Sequence, residues 1–262
     1  DENSVWIRDG LCRLVANVLF VEDSRWPNMF HPRVQAYNAL VFEALTSEER
    51  QAFMTIYNDY FYERHNEMWG ALAYRKLSMV LERTNMLVTA EDLGVLPDCV
   101  QPTLDALRIL TLEVQTLPKQ HGLEFAHLEA NPYLSVATIS THDMPPMRLW
   151  WQERPEAAQH YYRDRMQKEG RPPVALTTTL AEEIVSRHLY SPSMLCLLSL
   201  QDWLAVDAEM RNPDPRSERI NIPGDCYNRW SYRMHVNIEQ LIADEQLNKK
   251  LRTIVERSKR NV

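Results

Sequence analysis

Residues 135–143 of this chain read Ser-Val-Ala-Thr-Ile-Ser-Thr-His-Asp, an apolar run that ends in polar side chains. Three other short apolar runs have the length of buried strands and lie at residues 86–90, 107–114 and 194–200. Helix-like segments separate the runs and cover residues 97–107, 147–167 and 180–188. Short apolar runs that alternate with amphipathic stretches are typical of βα units, so we predict an α/β fold with a parallel sheet.

Each predicted strand ends in polar residues. These clusters are Glu91-Asp92, Gln115-Thr116, Thr141-His142-Asp143 and Gln201-Asp202. In a parallel α/β domain the ligand binds at the carboxyl ends of the strands, so the clusters predict a site at that edge. The alternative for any single acid after a strand is a helix N-cap. Because three of the strand ends carry acids, we favour a site.

The pattern of apolar residues changes near residue 84. Residues 1–84 are predicted to be mainly helical, since apolar residues recur at spacings of three and four through 32–45 and 47–83. The stretch Thr46-Ser47-Glu48-Glu49 supplies a capping hydroxyl and early acids. Residues 85–262 carry the βα units and end in helices over 232–259. We therefore predict a helical region at 1–84 and a strand-containing region at 85–262.

Composition excludes several classes of function. Hydrophobic residues make up 45% and charged residues 25% of the 262 positions, which is typical of a globular protein. The net charge of -7 argues against nucleic acid or an anionic membrane as a partner. No apolar run has the length of about 20 residues that spans a bilayer, and no signal peptide is recognisable, so we expect a cytoplasmic protein. The first residue is not Met, so we expect upstream residues to have been removed or the chain to be part of a longer protein.

Two motifs carry candidate chemistry. Adjacent residues at a strand end point to different sides, so one of Glu91 and Asp92 can face a ligand while the other binds a neighbour. His142 and Asp143 can bond vicinal sugar hydroxyls, and the alternatives are a metal pair, a catalytic dyad and a structural pair. No third His or Cys lies at ligand spacing, and the four cysteines are far apart, so we predict no metal and no disulfide.

Taken together and in this order, the motifs resemble the 4-alpha-glucanotransferases, the amylomaltase or disproportionating-enzyme family, and in particular the subgroup that includes the plant cytosolic disproportionating enzyme. The matching stretches are residues 85–100, 123–125, 147–151, 191–194, 200–202 and 227–235. The helical stretch ahead of Glu91 also resembles an insertion that this subgroup carries. The resemblance implies the C-terminal half of a (β/α)8 TIM-type barrel with parallel strands, preceded by a mainly helical insertion.

The resemblance also implies roles for individual residues. Glu91 is the general acid/base, Asp143 stabilises the transition state through hydroxyls of the reacting glucose, and His142 binds the same sugar. Retaining transfer needs a second carboxyl about 5 Å away as the nucleophile. In the family this is an Asp in an Ile-Asp-His type motif upstream of the insertion. No such motif occurs here, so we infer that the chain begins beyond the nucleophile strand.

Further substrate contacts are predicted at the strand ends and in one late loop. These residues are Asp92, Gln201, Asp202, Trp203 and Asn221. Asn221 lies in a stretch that resembles the family's Arg-x-Asn-x-Pro-Gly loop, and a plain turn is the equal alternative. Trp203 is the stacking candidate, whereas Trp230 is expected in the core. Met144-Pro145-Pro146 departs from the polar pair and Thr that usually follow the His-Asp motif in the family.

The function implied is transfer of glucosyl units between alpha-1,4-glucans, with maltose also as a substrate and without a cofactor. An alpha-amylase-type hydrolase shares a strand-borne acid and a His-Asp pair and is the first alternative. The second is an inert fragment that binds glucan weakly or self-associates, since a half-barrel has two open sheet edges. A homodimer would cover these edges.

Overall fold

The computed structural model describes residues 2–94 and 96–260. The chain forms two compact units. The first comprises Asp1–Arg83 and Pro97–Thr103, and the second comprises Thr84–Leu96 and Leu104–Val262. No described helix is both long enough and apolar enough to cross a membrane.

The first unit is mainly helical and also contains a hairpin. Its elements are α1 (Glu2–Val15), β1 (Phe20–Glu22), β2 (Phe30–Pro32), α2 (Leu40–Glu43), α3 (Ser47–Asn58), a π-helical turn (Asp59–Arg64) and α4 (His65–Leu81). A capping box begins α3, because Thr46 accepts from the Glu49 amide and Glu49 accepts from the Thr46 amide. Ala36, Phe53 and Tyr57 form the buried core.

The hairpin is an element that the prediction of a mainly helical region did not include. Strands β1 and β2 pair antiparallel, with Val21 opposite His31. Each strand has only three residues, so the alternation of side chains is too short to be read from the sequence. Asn28, in the connection between the strands, has a φ of 66°, a left-handed conformation that Asn tolerates.

The second unit contains a three-stranded parallel sheet in the order β3, β4, β5. Helix α5 (Val100–Leu107) crosses the boundary between the two units. The other elements of the second unit are β3 (Thr111–Val114), β4 (Ser135–Thr138), α6 (Met147–Glu153), α7 (Pro155–His160), a π-helical turn (Tyr161–Arg165), α8 (Thr178–Leu189), β5 (Leu195–Cys196), α9 (Leu200–Leu204), α10 (Ile238–Ala243) and α11 (Glu245–Arg257). All four residues of β4 are buried, so the prediction of a parallel sheet with covered faces is confirmed.

The predicted strands at the ends of the series are shorter than expected. In the predicted strand at 86–90, only Thr89 makes a bridge, parallel to Leu110. The predicted strand at 194–200 contains only the two residues of β5, because Ser199 caps α9 by accepting from the Asp202 amide. The predicted helix at 147–167 is interrupted at Arg154, since the residue before Pro155 is disfavoured in the α-helical region.

Helices cover the sheet with a large apolar core. Its largest fully buried side chains are those of Trp151, Tyr161, Val185, Leu204, Val206 and Leu247. The Tyr161 hydroxyl donates to Gln115 Oε1 at 2.6 Å, at the carboxyl end of β3. This hydrogen bond connects the core to the edge of the sheet at which the candidate site residues lie.

Candidate active site at the carboxyl ends of the strands

The adjacent acids Glu91 and Asp92 lie in different environments. Glu91 is exposed, and its Oε1 accepts from the nearby Leu93 amide at 3.3 Å. Asp92 is buried, with Oδ1 accepting from the Leu112 amide at 2.8 Å and Oδ2 from Lys119 Nζ at 2.6 Å. A carboxylate that is open to solvent is available for chemistry. The position of Asp92 favours the alternative in which it binds a neighbour.

His142 and Asp143 follow β4 on a short loop. The His142 Nε2 lies 3.4 Å from Asp143 Oδ2, and the two side chains are 53% and 50% exposed. Asn221 Nδ2 donates to the other oxygen, Asp143 Oδ1, at 2.6 Å. Asn228 Nδ2 in turn donates to Asn221 Oδ1 at 2.7 Å. Three of the predicted site residues, His142, Asp143 and Asn221, therefore lie together.

Trp230 extends this group and was expected in the core. Its side chain is instead 63% exposed. The Trp230 and His142 ring centroids are 5.0 Å apart, with the planes tilted by 44°. The prediction was wrong because Trp230 lies in an irregular segment, where no periodicity assigns it to a face. It adds an apolar surface to the imidazole and carboxylate.

Asp202 lies beneath the loop that carries His142 and Asp143. Its Oδ2 accepts from Ser140 Oγ at 3.1 Å and from Ser199 Oγ at 2.8 Å. Its Oδ1 accepts from the Met147 amide at 3.1 Å. Ser140 and Met147 flank the loop, so one carboxylate holds both of its ends. Burial raises the pKa of Asp202, and its position favours support of the loop over direct contact with a ligand.

The segment that leads to Asn221 is held by Gln201, Arg148 and Glu218. Arg148 and Glu218 were not among the predicted site residues. Gln201 Nε2 donates to the Glu218 carbonyl at 3.3 Å. Arg148 Nη1 donates to the Asn212 carbonyl at 2.7 Å and lies 3.4 Å from Glu218 Oε2. Burial raises the pKa of Glu218 to about 7. The sequence signals for Arg148 are a charge inside an apolar helix and its place in the matching stretch 147–151.

Trp203, the predicted stacking residue, is partly buried beside the last helix. It lines a groove with Leu200, Leu251 and Val255. These neighbours are apolar side chains of α9 and α11. Within residues 2–94 and 96–260, no three His, Cys, Asp or Glu side chains are arranged as metal ligands.

The exposed acid Glu91 follows a segment that bridges the sheet, and the half-exposed His142 and Asp143 follow β4. Polar groups after the strands of a parallel sheet are the layout of ligand sites in α/β proteins. Residues 13–239 match the model of the glycoside hydrolase 77 family, described as 4-alpha-glucanotransferase. The chain belongs to this family, and the resemblance found in its motifs is confirmed.

Two relatives and one solved structure define the extent of the similarity. The 4-alpha-glucanotransferase DPE2 of Oryza sativa subsp. japonica is 29% identical over 99% of this chain and 28% of its own length. The 4-alpha-glucanotransferase of Chlamydia muridarum is 32% identical over 68% of this chain and 34% of its own. The amylomaltase of Streptococcus agalactiae in complex with acarbose has a TM-score of 0.53 and 18% identity, over 74% of this chain and 35% of that one.

The structural similarity shows that the fold is that of the amylomaltases, as the family resemblance implied. The chain spans about a third of the length of the relatives that it matches.

Proposed function

We propose that this chain supplies the acid/base and part of the sugar-binding surface of a 4-alpha-glucanotransferase. The observation that carries the proposal is the hydrogen bond from Asn221 to Asp143. It fixes one carboxylate oxygen and leaves the other beside His142, with both side chains half exposed. A fixed carboxylate and imidazole side by side suit two neighbouring hydroxyls of one glucose.

In the proposed reaction, Glu91 donates its proton to the leaving glycosidic oxygen as a carboxylate nucleophile attacks the anomeric carbon. The C–O bond to the leaving glucan breaks and a glycosyl-enzyme ester forms. Glu91 then takes the proton of an acceptor hydroxyl, whose oxygen displaces the carboxylate and restores the glycosidic bond. Glu91 suits this role because its carboxyl group is exposed. No cofactor enters these steps.

The nucleophile is assigned to a part of the barrel that this chain does not span. Support comes from the relatives, which are about three times longer than the matched region. We propose that the second unit is the C-terminal half of a TIM-type barrel and that the first unit is an insertion ahead of the acid/base strand. The substrates are alpha-1,4-glucans and maltose, in keeping with the acarbose bound to the Streptococcus agalactiae amylomaltase.

Self-association of the isolated chain is a second candidate. Among the described residues, β5 pairs only with β4, so one edge of the sheet is unpaired. Unpaired backbone groups at such an edge favour pairing with another chain. Light scattering tests this candidate, and a monomer at all concentrations would remove it.

The experiment that tests the function mixes the purified chain with labelled maltose and glycogen, with and without the remaining barrel residues of a relative supplied in trans. We expect glucose release and label in glycogen only when both parts are present. A ladder of longer oligosaccharides indicates transfer, whereas shorter products alone indicate the hydrolase alternative. Activity of the chain alone would contradict the assignment of the nucleophile to another part of the barrel.

A further inference from the structure

The first unit contains a hydrogen-bonded series of polar side chains that the proposed reaction does not use. His31 Nε2 lies 2.6 Å from Asp23 Oδ2, and the Tyr60 hydroxyl lies 2.8 Å from His31 Nδ1. Because an ionised carboxylate only accepts, Nε2 donates to Asp23, and neutral His31 accepts from Tyr60 at Nδ1. The hydrogen bond from His31 lowers the pKa of Asp23. The three groups are thus held in fixed orientations.

Solvent reaches this series. The His31 side chain is 40% exposed and that of Asp23 is 21% exposed. The second oxygen of Asp23 accepts from the amides of Arg25 and Trp26, at 2.7 and 3.0 Å. These bonds hold the carboxylate in place.

The π-helical turn at Asp59–Arg64 brings an aromatic row next to the series. The His65 amide donates to the carbonyl of Tyr60, five residues earlier. In an α-helix, residues five apart point about 140° away from each other, whereas the five-residue turn places them on one face. The Tyr60 and His65 ring centroids are accordingly 4.2 Å apart.

The row continues along α4. Trp69 lies four residues beyond His65, on the same face of the helix. Its ring stacks on His65 at 5.2 Å with only 12° between the planes. Trp69 is 44% exposed. The row of Tyr60, His65 and Trp69 therefore ends in an aromatic surface that is open to solvent.

Core packing alone does not account for this arrangement. The buried core of the unit consists of Ala36, Phe53 and Tyr57, whereas the row ends in a residue that remains substantially exposed. A π-turn is rare and is found frequently at functional sites. Here the turn has a geometric result, since it aligns Tyr60 with His65 and so joins the aromatic row to Asp23 and His31.

We propose that Asp23, His31, Tyr60, His65 and Trp69 form a binding surface for an alpha-1,4-glucan chain. The apolar face of a sugar ring packs on Trp69, and hydroxyls of the chain bond to Asp23, Tyr60 and His65. His31 holds Asp23 and Tyr60 in place through its two ring nitrogens. The surface combines acceptor oxygens on Asp23 and Tyr60 with the imidazole of His65, which can donate or accept. This mixture suits hydroxyls, which do both, whereas a cationic ligand would require acceptors alone.

The size of the surface also suits a chain of sugars. Successive ring centroids from His31 through Tyr60 and His65 to Trp69 are separated by 5.6, 4.2 and 5.2 Å. The surface is therefore longer than one sugar ring. The inference rests on the proposed function only for the class of ligand, since it concerns binding and assigns no role in transfer.

The test is affinity electrophoresis of the purified chain in native gels that contain glycogen, with the dissociation constant taken from the retardation. We expect Trp69→Ala and His31→Gln each to weaken binding about tenfold. The first variant removes the stacking surface, and the second releases Asp23 and Tyr60 from their fixed orientations. The matched control is Trp6→Ala, which removes a 78% exposed tryptophan from α1 and leaves the five residues intact. Thermal unfolding of each variant establishes that it is folded.

Equal retardation of the wild type and both variants, or no retardation of the wild type, would overturn the proposal. Asp143→Asn distinguishes the binding surface from the proposed function. This variant should lose transfer in the reconstituted reaction, and Trp69 should still contribute to its binding of glycogen. If transfer fails but Trp69→Ala still weakens retardation, the binding surface stands without the proposed function. If transfer occurs but Trp69→Ala does not weaken retardation, the proposed function stands without the binding surface.

Discussion

Asn221 and Asp143 are 78 residues apart in the chain, yet Asn221 Nδ2 donates to Asp143 Oδ1 at 2.6 Å. The bond joins a late irregular segment to the end of β4. It restricts rotation of the Asp143 carboxylate and keeps Oδ2 on the side of His142. The orientation of the candidate site thus depends on contacts between distant parts of the sequence.

The first prediction concerns this bond. Asn221→Ala should lower the rate of glucosyl transfer in the reconstituted reaction by about 100-fold, since small misplacements of catalytic groups have effects of that size. Asn228→Ala is the control, because Asn228 contacts Asn221 at 2.7 Å and is one bond further from Asp143. Asn228→Ala should lower the transfer rate by a smaller factor than Asn221→Ala. Equal rates for Asn221→Ala and the wild type would show that the bond does not position Asp143.

The second prediction compares the adjacent acids. Glu91→Gln should lower transfer by about 100-fold or more, the size of general acid/base effects, and should leave stability unchanged because Glu91 is exposed. Asp92→Asn should lower the free energy of unfolding by about 2 kcal/mol, because it removes the charge that pairs with Lys119. Urea unfolding and transfer rates measure the two effects. A loss of transfer in Asp92→Asn together with a loss of stability in Glu91→Gln would contradict the roles assigned to the two acids.

The third prediction concerns Asp202, whose carboxylate holds both ends of the 140–147 segment. Asp202→Ala should accelerate amide hydrogen exchange at Met147, because its acceptor is removed. Asp202→Asn retains one carbonyl oxygen and should largely preserve protection. Mass spectrometry of the exchanged peptides gives the rates. Equal protection of Met147 in the alanine variant and the wild type would contradict the role of Asp202.

The fourth prediction concerns pH. Burial raises the pKa of Glu218 from 4.5 to about 7, while Arg148 opposes this shift and Asp202 and Asp214 add to it. Between these values the folded chain binds more protons than the unfolded chain, so stability falls as the pH rises from 4.5 to 7. The contribution of Glu218 is on the order of 3 kcal/mol.

Glu218→Gln should remove this contribution to the pH dependence of unfolding. Glu153→Gln is the control, because Glu153 is exposed and pairs with Arg219 at 3.3 Å. Urea unfolding at several pH values measures the slope. If Glu218→Gln retains the wild-type slope, Glu218 is ionised in the folded chain throughout this range.

Strand β4 was predicted well because a strand buried on both faces is a continuous apolar run, and residues 135–140 have no competing periodicity. The run at 194–200 was harder to interpret. An apolar sequence does not itself show where a short strand ends and a helix begins. Ser199, which caps α9 through the Asp202 amide, was the local signal for that boundary.

The site could be predicted only in part for a similar reason. Strand ends pointed to Glu91 and Asp143, since a parallel sheet collects its ligand groups at one edge. Burial of Asp92 and Asp202 could not be seen, because it depends on Lys119 and Met147 from other elements. The exposure of Trp230 could not be predicted, because it lies in an irregular segment without helical or strand periodicity.

The contact between Trp230 and His142 makes the candidate site visible to fluorescence. With ring centroids 5.0 Å apart and Trp230 largely exposed, the indole emission responds to whatever approaches the imidazole. The chain has seven tryptophans, so the difference between the wild type and Trp230→Phe isolates this one signal. The protein thereby carries its own optical reporter, through which occupancy of the site can be followed in real time without a chemical label.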